Sequence, residues 1–351
     1  MPRISANWKE NLMLVAYDVI DSHENTHTSN SSWLKILIPR VHISESGGYL
    51  VPIENDLGLL EPIYKALAHD SYDNGGADIT PTTWIDSPRI AQLRKTHKDE
   101  IVESVSKRAF SALGTGFHKI MENAVGDGVI TEERVFWDHP SGLRTSGAID
   151  LQIIRDRDKD DGMRILLDYK VTSVYGIMYG IKPAWEQQLN SYSYLLKKAK
   201  NIEVSELYVL AMLRDWKSSE AGRPGYPDAP ILQIPIPLWS FEDAQTYVDE
   251  RISLHQEAAY SALIGEELPL CSSEEMWERS EKFAVMKSAT HKRASRLLDS
   301  MEEAIEWAAD PANRMDSKHV IDHRPGKRVR CEDWCEVAPF CNQYREYRND
   351  Q

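Results

Sequence analysis

Gly147-Ala148-Ile149-Asp150-Leu151-Gln152-Ile153-Ile154 and Arg164-Ile165-Leu166-Leu167-Asp168-Tyr169-Lys170-Val171 are two strand-like runs. They flank the charged stretch Arg155-Asp156-Arg157-Asp158-Lys159-Asp160-Asp161-Gly162-Met163, whose Asp-Gly is a turn signal, and the three together predict a hairpin. Side chains alternate along a strand, so Asp168 and Lys170 share a face. They close the apolar run Ile165-Leu166-Leu167, and burying two charges there needs a reason. The midpoint of positions 150 and 168 is 159, which is also the centre of the turn 155–163. A hairpin closed symmetrically about it makes Asp150 and Asp168 cross-strand neighbours, with Cβ atoms about 5 Å apart. Two carboxylates that close repel each other and raise one pKa. A divalent cation between them removes that penalty, so the pair predicts a metal site. Two other D-x-K triplets, Asp215-Trp216-Lys217 and Asp316-Ser317-Lys318, lack this setting.

Upstream, Ile101, Val102, Val105, Phe110, Leu113, Phe117, Ile120 and Met121 recur at helical spacing and predict a helix over 98–124. His118 and Glu122, four apart, share a face of it. They follow Gly114-Thr115-Gly116, small residues that would admit a close neighbour. A strand over 129–137 carries Glu132 and Glu133, either of which can reach the site. Downstream come a helix over 184–199 bearing Gln188 and Tyr192, a strand over 207–213 and another over 231–236. A further helix starts at Ser240, with Asp243 as its capping-box partner. The order is helix, strand, strand, strand, helix, strand: a mixed α/β core. A His–Glu helix pair alone reads as surface or capping chemistry, and a Gln–Tyr pair alone reads as packing. Together each polar group falls on the element where one metal centre needs it.

The 351 residues are 42% hydrophobic and 27% charged, as expected of a globular chain, and hold no apolar run long enough for a membrane span. Leu12-Met13-Leu14-Val15-Ala16-Tyr17 is too short, and too closely flanked by Glu10 and Asp18, for a secretory signal, so a soluble intracellular protein is expected. Forty-one Lys and Arg stand against 55 Asp and Glu, a net charge of −14, which argues against coating nucleic acid non-specifically. A local basic lining beside acidic metal ligands remains compatible with it. The expected organisation is a poorly ordered extension over 1–45, a helical segment over 46–97, the core over 98–260 and a helical, cysteine-bearing element over 261–351.

The pattern Gly-x-x-x-His118-x-x-x-Glu122, Gly-x-x-Asp150, Asp168-x-Lys170 and Gln188-x-x-x-Tyr192 resembles the PD-(D/E)XK nuclease superfamily. It is most similar to the RecB-like branch, which includes phage-type exonucleases and CRISPR-associated relatives. The resemblance spans roughly residues 98–213 and implies a restriction-endonuclease-like core. It also implies metal-dependent hydrolysis of DNA phosphodiesters, with Asp150, Asp168, the Tyr169 carbonyl and His118 holding Mg²⁺ or Mn²⁺. Lys170 would position the attacking water and offset transition-state charge. Glu122 would act from behind the ligands, and Gln188 and Tyr192 would line the active-site face. By family analogy the chain acts as an exonuclease on single strands or ends, in recombination, replication or repair, in the cytoplasm of a bacterium or phage-infected host. It has no P-loop G-x-x-x-x-G-K-[ST], so coupling to unwinding needs a helicase or recombinase partner. A structure-specific or CRISPR-adaptation DNA-trimming nuclease, and a non-catalytic nucleic-acid-binding protein with a structural metal cluster, are the rival readings.

Cys331, Cys335 and Cys341 fall within eleven residues, and Cys271 lies apart. In a reducing compartment this spacing favours a metal over disulfides. Four thiolates suit Zn²⁺ or a [4Fe–4S] cluster. Relatives carry such a C-terminal cluster, completed by a distant cysteine that usually precedes the nuclease motifs. Cys271 follows them, which leaves the fourth ligand open, with His319 and His323 as a zinc alternative. The basic run with Lys327, Arg328 and Arg330, and a second with Lys292 and Arg293 on an expected helix, are candidates for gripping the phosphate backbone. Trp277, Trp334 and Phe340 are expected to pack in the core.

Overall fold

A computed structural model describes residues 52–69, 73–155, 162–178 and 180–349. The extension expected over 1–45 lies outside them, as does most of the charged turn.

A five-stranded mixed sheet forms the centre. Its strands are β1 (Val129–Asp138), β2 (Arg144–Ile154), β3 (Arg164–Thr172), β4 (Val204–Leu213) and β5 (Ile231–Ile236), in that spatial order. Only β3–β4 is parallel. Three helices cover this sheet or extend from it: α2 (Val105–Met121), α3 (Pro183–Lys200) and α4 (Phe241–Ile264), all preceded by α1 (Pro88–Thr96). The β2–β3 register pairs Leu151 with Leu167 and Ile154 with Arg164, the register that symmetry about residue 159 predicts.

Helix limits follow local chemistry. Pro183 occupies the first turn of α3, Asn201 ends it in the left-handed region, and Lys197, Lys198 and Lys200 offset the carbonyl end of its dipole. Ser240 caps α4: its Oγ accepts the Asp243 N–H at 3.0 Å and donates to the Asp243 carboxylate at 2.7 Å.

The larger core lies between the sheet and α3–α4, where Leu189, Leu195, Leu196, Val209, Val248 and Ile252 are fully buried. Burying such side chains stabilises by about 1.5–3 kcal/mol each. Phe117 and Met121 of α2 pack on the other face, over Leu151, Leu167 and Tyr169. Gly147 is the contact point between β2 and α3: a Cβ there would lie 2.9 Å from Tyr192 and Leu195.

Two expectations about α2 are corrected. It starts at Val105 rather than 98, because Glu103–Ser104 pairs in parallel with Ile53–Glu54 and so takes extended backbone. Its apolar stripe is only partly used: Val105 and Phe117 are buried, whereas Phe110, Leu113 and Ile120 are exposed. Nothing described approaches Gly114 or Gly116 within 4 Å of where a Cβ would stand, so those glycines serve no close contact among the described residues.

The C-terminal part holds a three-stranded antiparallel sheet. β6 (Lys282–Met286) lies between β7 (Arg296–Leu298) and β8 (Val320–Arg324), with α5 (Met301–Ala309) against it. The run with Lys292 and Arg293 is a bend between β6 and β7, not a helix, because Ser295 already donates its N–H to the Val285 carbonyl at 2.8 Å. Among the described residues, no helix is long and apolar enough to cross a membrane.

Candidate active site and cysteine pocket

The β2–β3 ladder stops at Leu151 and Leu167, one residue short of Asp150 and Asp168, while β3–β4 continues to Thr172 and Leu213. The site lies where those strands part. Asp150, 7% exposed, accepts the Tyr169 N–H on Oδ2 at 2.7 Å, so Tyr169 enters the site through its backbone amide. Its ring packs edge-on against Phe117 and His118. Asp168, 2% exposed, accepts from Gln188 Nε2 on Oδ1 at 2.9 Å. Its Oδ2 lies 2.7 Å from Lys170 Nζ, an ion pair outside hydrogen-bond alignment. Gln188 also accepts from Lys170 Nζ at 3.0 Å and donates to the Tyr192 hydroxyl at 3.0 Å. One buried amide therefore ties together Asp168, Lys170 and Tyr192.

On the α2 side, His118 Nδ1 lies 3.7 Å from Glu132 Oε1 and 3.8 Å from Asp150 Oδ2. One ligand atom from each of these three residues lies within 4.8 Å of the others, too far apart for hydrogen bonds but suited to a shared cation. Glu132 takes a left-handed backbone, φ 51°, which interrupts the β1–β2 ladder between Thr131 and Glu133 and turns its carboxylate to Asp150. Glu133 serves elsewhere, accepting from Gln152 and pairing with Lys200. The structure thus separates two glutamates that the sequence leaves equivalent. Glu122 ends α2 and binds Lys119 at 2.5 Å rather than joining the trio.

Burial, then the Asp168 charge, pushes the Asp150 carboxyl well above its ordinary range, although the Tyr169 N–H opposes this. Burial also raises Glu132, against the attraction of His118. Two acids with raised pKa values beside an imidazole form a donor set that a cation would stabilise.

The four cysteines line one small enclosed pocket, so Cys271 is the fourth thiol beside Cys331, Cys335 and Cys341. His319 and His323 lie elsewhere: His319 Nδ1 is 2.6 Å from the Asp316 carbonyl, and His323 pairs with Glu281 at 2.7 Å. Burial pushes the Cys271 and Cys331 thiols up to about 11, and the neighbouring cysteines reinforce the shift. Two groups that sequence reasoning missed serve the pocket from α1 and its cap. Ser87 Oγ is 3.1 Å from Cys271 Sγ, and Arg89, 1% exposed, approaches Cys341 Sγ at 4.0 Å while donating to the Pro269 and Leu268 carbonyls. Nothing in an isolated Ser or Arg points to a thiol 180 or more positions away.

The C-terminal basic run is neutralised within the fold. Lys327 pairs with Glu332 and Asp333, Arg328 with Glu278, and Arg330 with Asp86 at 2.7 Å. Trp277 and Trp334 are 50% and 62% exposed, contrary to the expectation of core packing, while Phe340 stacks on His97. Neither decoy triplet joins a site: Asp215 accepts the Val174 N–H at 2.7 Å and Asp316 that of Lys318 at 2.8 Å, each bracing a turn.

No family model and no curated protein matches this chain. Among solved structures, one described as "Crystal structure of SSO0001" is similar over 54% of this chain and 81% of that one, at 18% identity and a TM-score of 0.35.

Proposed function

We propose that the chain is a metal-dependent deoxyribonuclease of the RecB-like PD-(D/E)XK type, built on a restriction-endonuclease-like core. One observation carries the reading. Asp150, Asp168, Lys170 and Gln188 converge where two central strands part, with His118 and Glu132 against Asp150. A structural ion pair would need only Asp168 and Lys170; it would not need three further ionisable groups at the same strand end.

His118, Glu132 and Asp150, with Asp168 across the gap, would hold Mg²⁺ or Mn²⁺, since carboxylate oxygens suit these hard cations. The bound ion would lower the pKa of water and neutralise charge developing on a phosphate. Gln188 fixes the Lys170 ammonium beside Asp168, where it can orient the nucleophile and offset phosphate charge. The resemblance further supports exonuclease action on single strands or ends, in a bacterial or phage setting, with any ATP-driven unwinding supplied by a helicase or recombinase partner.

For the cysteine pocket we favour a [4Fe–4S] cluster over zinc. The resemblance carries that preference, since relatives of the RecB-like branch hold such a cluster on a C-terminal cysteine group, whereas four thiolates by themselves suit either metal centre.

The test is an absorption spectrum of anaerobically purified protein, followed on the same sample by Mg²⁺- or Mn²⁺-dependent digestion of end-labelled DNA. A broad visible band with metal-dependent products is expected. A folded protein that cuts no DNA with either metal would make the non-catalytic binding reading the better one.

A further inference from the structure

Asp168, Lys170 and Thr172 form a row on one face of β3, and the surface around Thr172 is cationic. Lys182 Nζ donates to Thr172 Oγ1 at 3.4 Å, and the Arg214 N–H donates to the Thr172 carbonyl at 2.9 Å. At about 3.3 Å per residue, Thr172 lies about 6.6 Å from Lys170 along the strand. Gly176 keeps the place open: a Cβ there would stand 2.7 Å from Thr172 Oγ1 and 3.3 Å from Lys182 Nζ. The loop is braced, with Val174 held by Asp215 and the Gly176 N–H donated to Ser173 Oγ at 3.2 Å.

Lys182 and Arg214 are both exposed residues, the Lys182 ammonium being partly sheltered 5.1 Å from the centre of the Trp185 ring, and among the described residues no carboxylate pairs with either. This contrasts with Lys327, Arg328 and Arg330, all of which are paired. The Lys182 ammonium is held below the usual lysine range, by partial burial first and then by the Arg214 and Lys170 charges. In a chain of net charge −14, a group of like charges without acidic partners has a use for an anion. Aromatic surface adjoins it. The Arg214 guanidinium lies 5.1 Å from the centre of the Phe110 ring, Phe110 is 62% exposed, and Tyr175 on the same loop is 66% exposed. This arrangement also gives exposed Phe110, an oddity in the α2 stripe, something to do.

We propose that Lys182, Arg214 and Phe110 form a track for single-stranded nucleic acid leading into the Asp168–Lys170 site, with the two cations binding backbone phosphates and Phe110 stacking a base. Unpaired cations beside an exposed ring are the chemistry that holds single strands, because a base inside a duplex offers no free face to stack. The inference rests on the nuclease reading and names its substrate class.

The experiment measures binding of the full chain to a labelled oligo-dT strand and to a blunt duplex across a salt series, with Ca²⁺ in place of Mg²⁺ to prevent cutting. Lys182→Gln and Arg214→Gln are each expected to weaken single-strand binding about tenfold and to reduce the salt slope by about one. Phe110→Ala is expected to weaken strand binding while leaving duplex binding unmoved, and to abolish stacking-dependent quenching of a 2-aminopurine base. Since Phe110 is exposed, that variant keeps the test valid if either cation variant proves unstable. Wild-type affinity in all three variants, or a loss that follows Lys292→Ala and Arg293→Ala instead, overturns the track. If the wild type cuts DNA in Mg²⁺ while these variants bind normally, only the track fails. If the variants bind weakly but the wild type cuts nothing, the nuclease reading fails and the track stands.

Discussion

Glu132 stands opposite Asp150 where the β1–β2 ladder is interrupted, on a left-handed backbone that brings the two carboxylates within 4.8 Å. A non-glycine residue held there costs on the order of 1–3 kcal/mol, strain that persists only where the surroundings enforce it. The adjacent Glu133 has ordinary strand pairing with Ile149 and an unrelated set of partners. Glu132→Gln is therefore expected to weaken Mn²⁺ binding and metal-limited cleavage by at least about 10–100-fold, the range seen when even an outer partner of a metal is lost. Glu133→Gln should change neither by more than about twofold. Calorimetric Mn²⁺ titration of the two variants decides it, and equal losses would remove Glu132 from the site.

Asp150 predicts a stability effect with a definite sign. Its folded pKa is raised by burial and by Asp168, whereas the unfolded chain titrates near the ordinary value. Between those values the folded state holds a proton that the unfolded state has released, so metal-free stability falls as pH rises through the window. Asp150→Asn retains an acceptor for the Tyr169 N–H and removes the charge. Without metal it should be more stable than the wild type at pH 8, by on the order of 1 kcal/mol per unit of raised pKa, and so melt higher, with a smaller gap at pH 5. Adding Mn²⁺ should stabilise only the wild type. Thermal melts at the two pH values in EDTA, repeated with Mn²⁺, test both halves.

How far the sequence revealed this site depended on whether the controlling contacts were local. The β2–β3 register follows from the position of the turn, and the helix expected over 184–199 is α3, Pro183–Lys200. The face shared by Asp168 and Lys170 follows from strand alternation alone. The start of α2 differs from the expected 98 because it depends on pairing with Ile53–Glu54, some fifty residues away. Lys292 and Arg293 have helix-forming neighbours, yet the flanking strands β6 and β7 impose a bend. Glu132 could not be told from Glu133, because strand alternation fails at a left-handed residue. Cys271 joined its partners only through the packing of α1 and the C-terminal segment around one pocket. Proximity in the fold, not composition, also neutralised the basic run with Lys327.

Lys170 and Gln188 should differ in how they fail. Lys170 contacts Asp168 directly, so Lys170→Ala is expected to lower cleavage by about 100-fold or more while DNA binding in Ca²⁺ persists. Gln188 acts through Lys170, Asp168 and Tyr192, and Gln188→Ala leaves those groups present but untethered. A smaller loss is expected, with part of it recovered by Gln188→Glu, which can still accept from Lys170. Single-turnover digestion of the three variants separates them, and unchanged cleavage in Lys170→Ala would class the triplet with the two decoys.

The cysteine pocket makes a contrast that can be read without any substrate. Cys271 is 8% exposed, with Ser87 on its sulfur, and its N–H donates to Gln343 Oε1 at 2.9 Å, so the side chain is aimed into the pocket by two neighbours. A Cys271→Ser hydroxyl would keep the bond to Ser87 while removing one of four thiolates. Metal or cluster binding that draws on the folded state alone contributes its binding free energy to stability. Cys271→Ser is thus expected to lose bound iron and to melt lower than the wild type by several degrees. His319→Ala and His323→Ala, whose rings bind Asp316 and Glu281, should retain wild-type metal content. Elemental analysis with thermal melts on the three purified variants tests this. Full iron in Cys271→Ser would leave the pocket with three cysteine ligands, and metal lost on replacing either histidine would return the site to zinc.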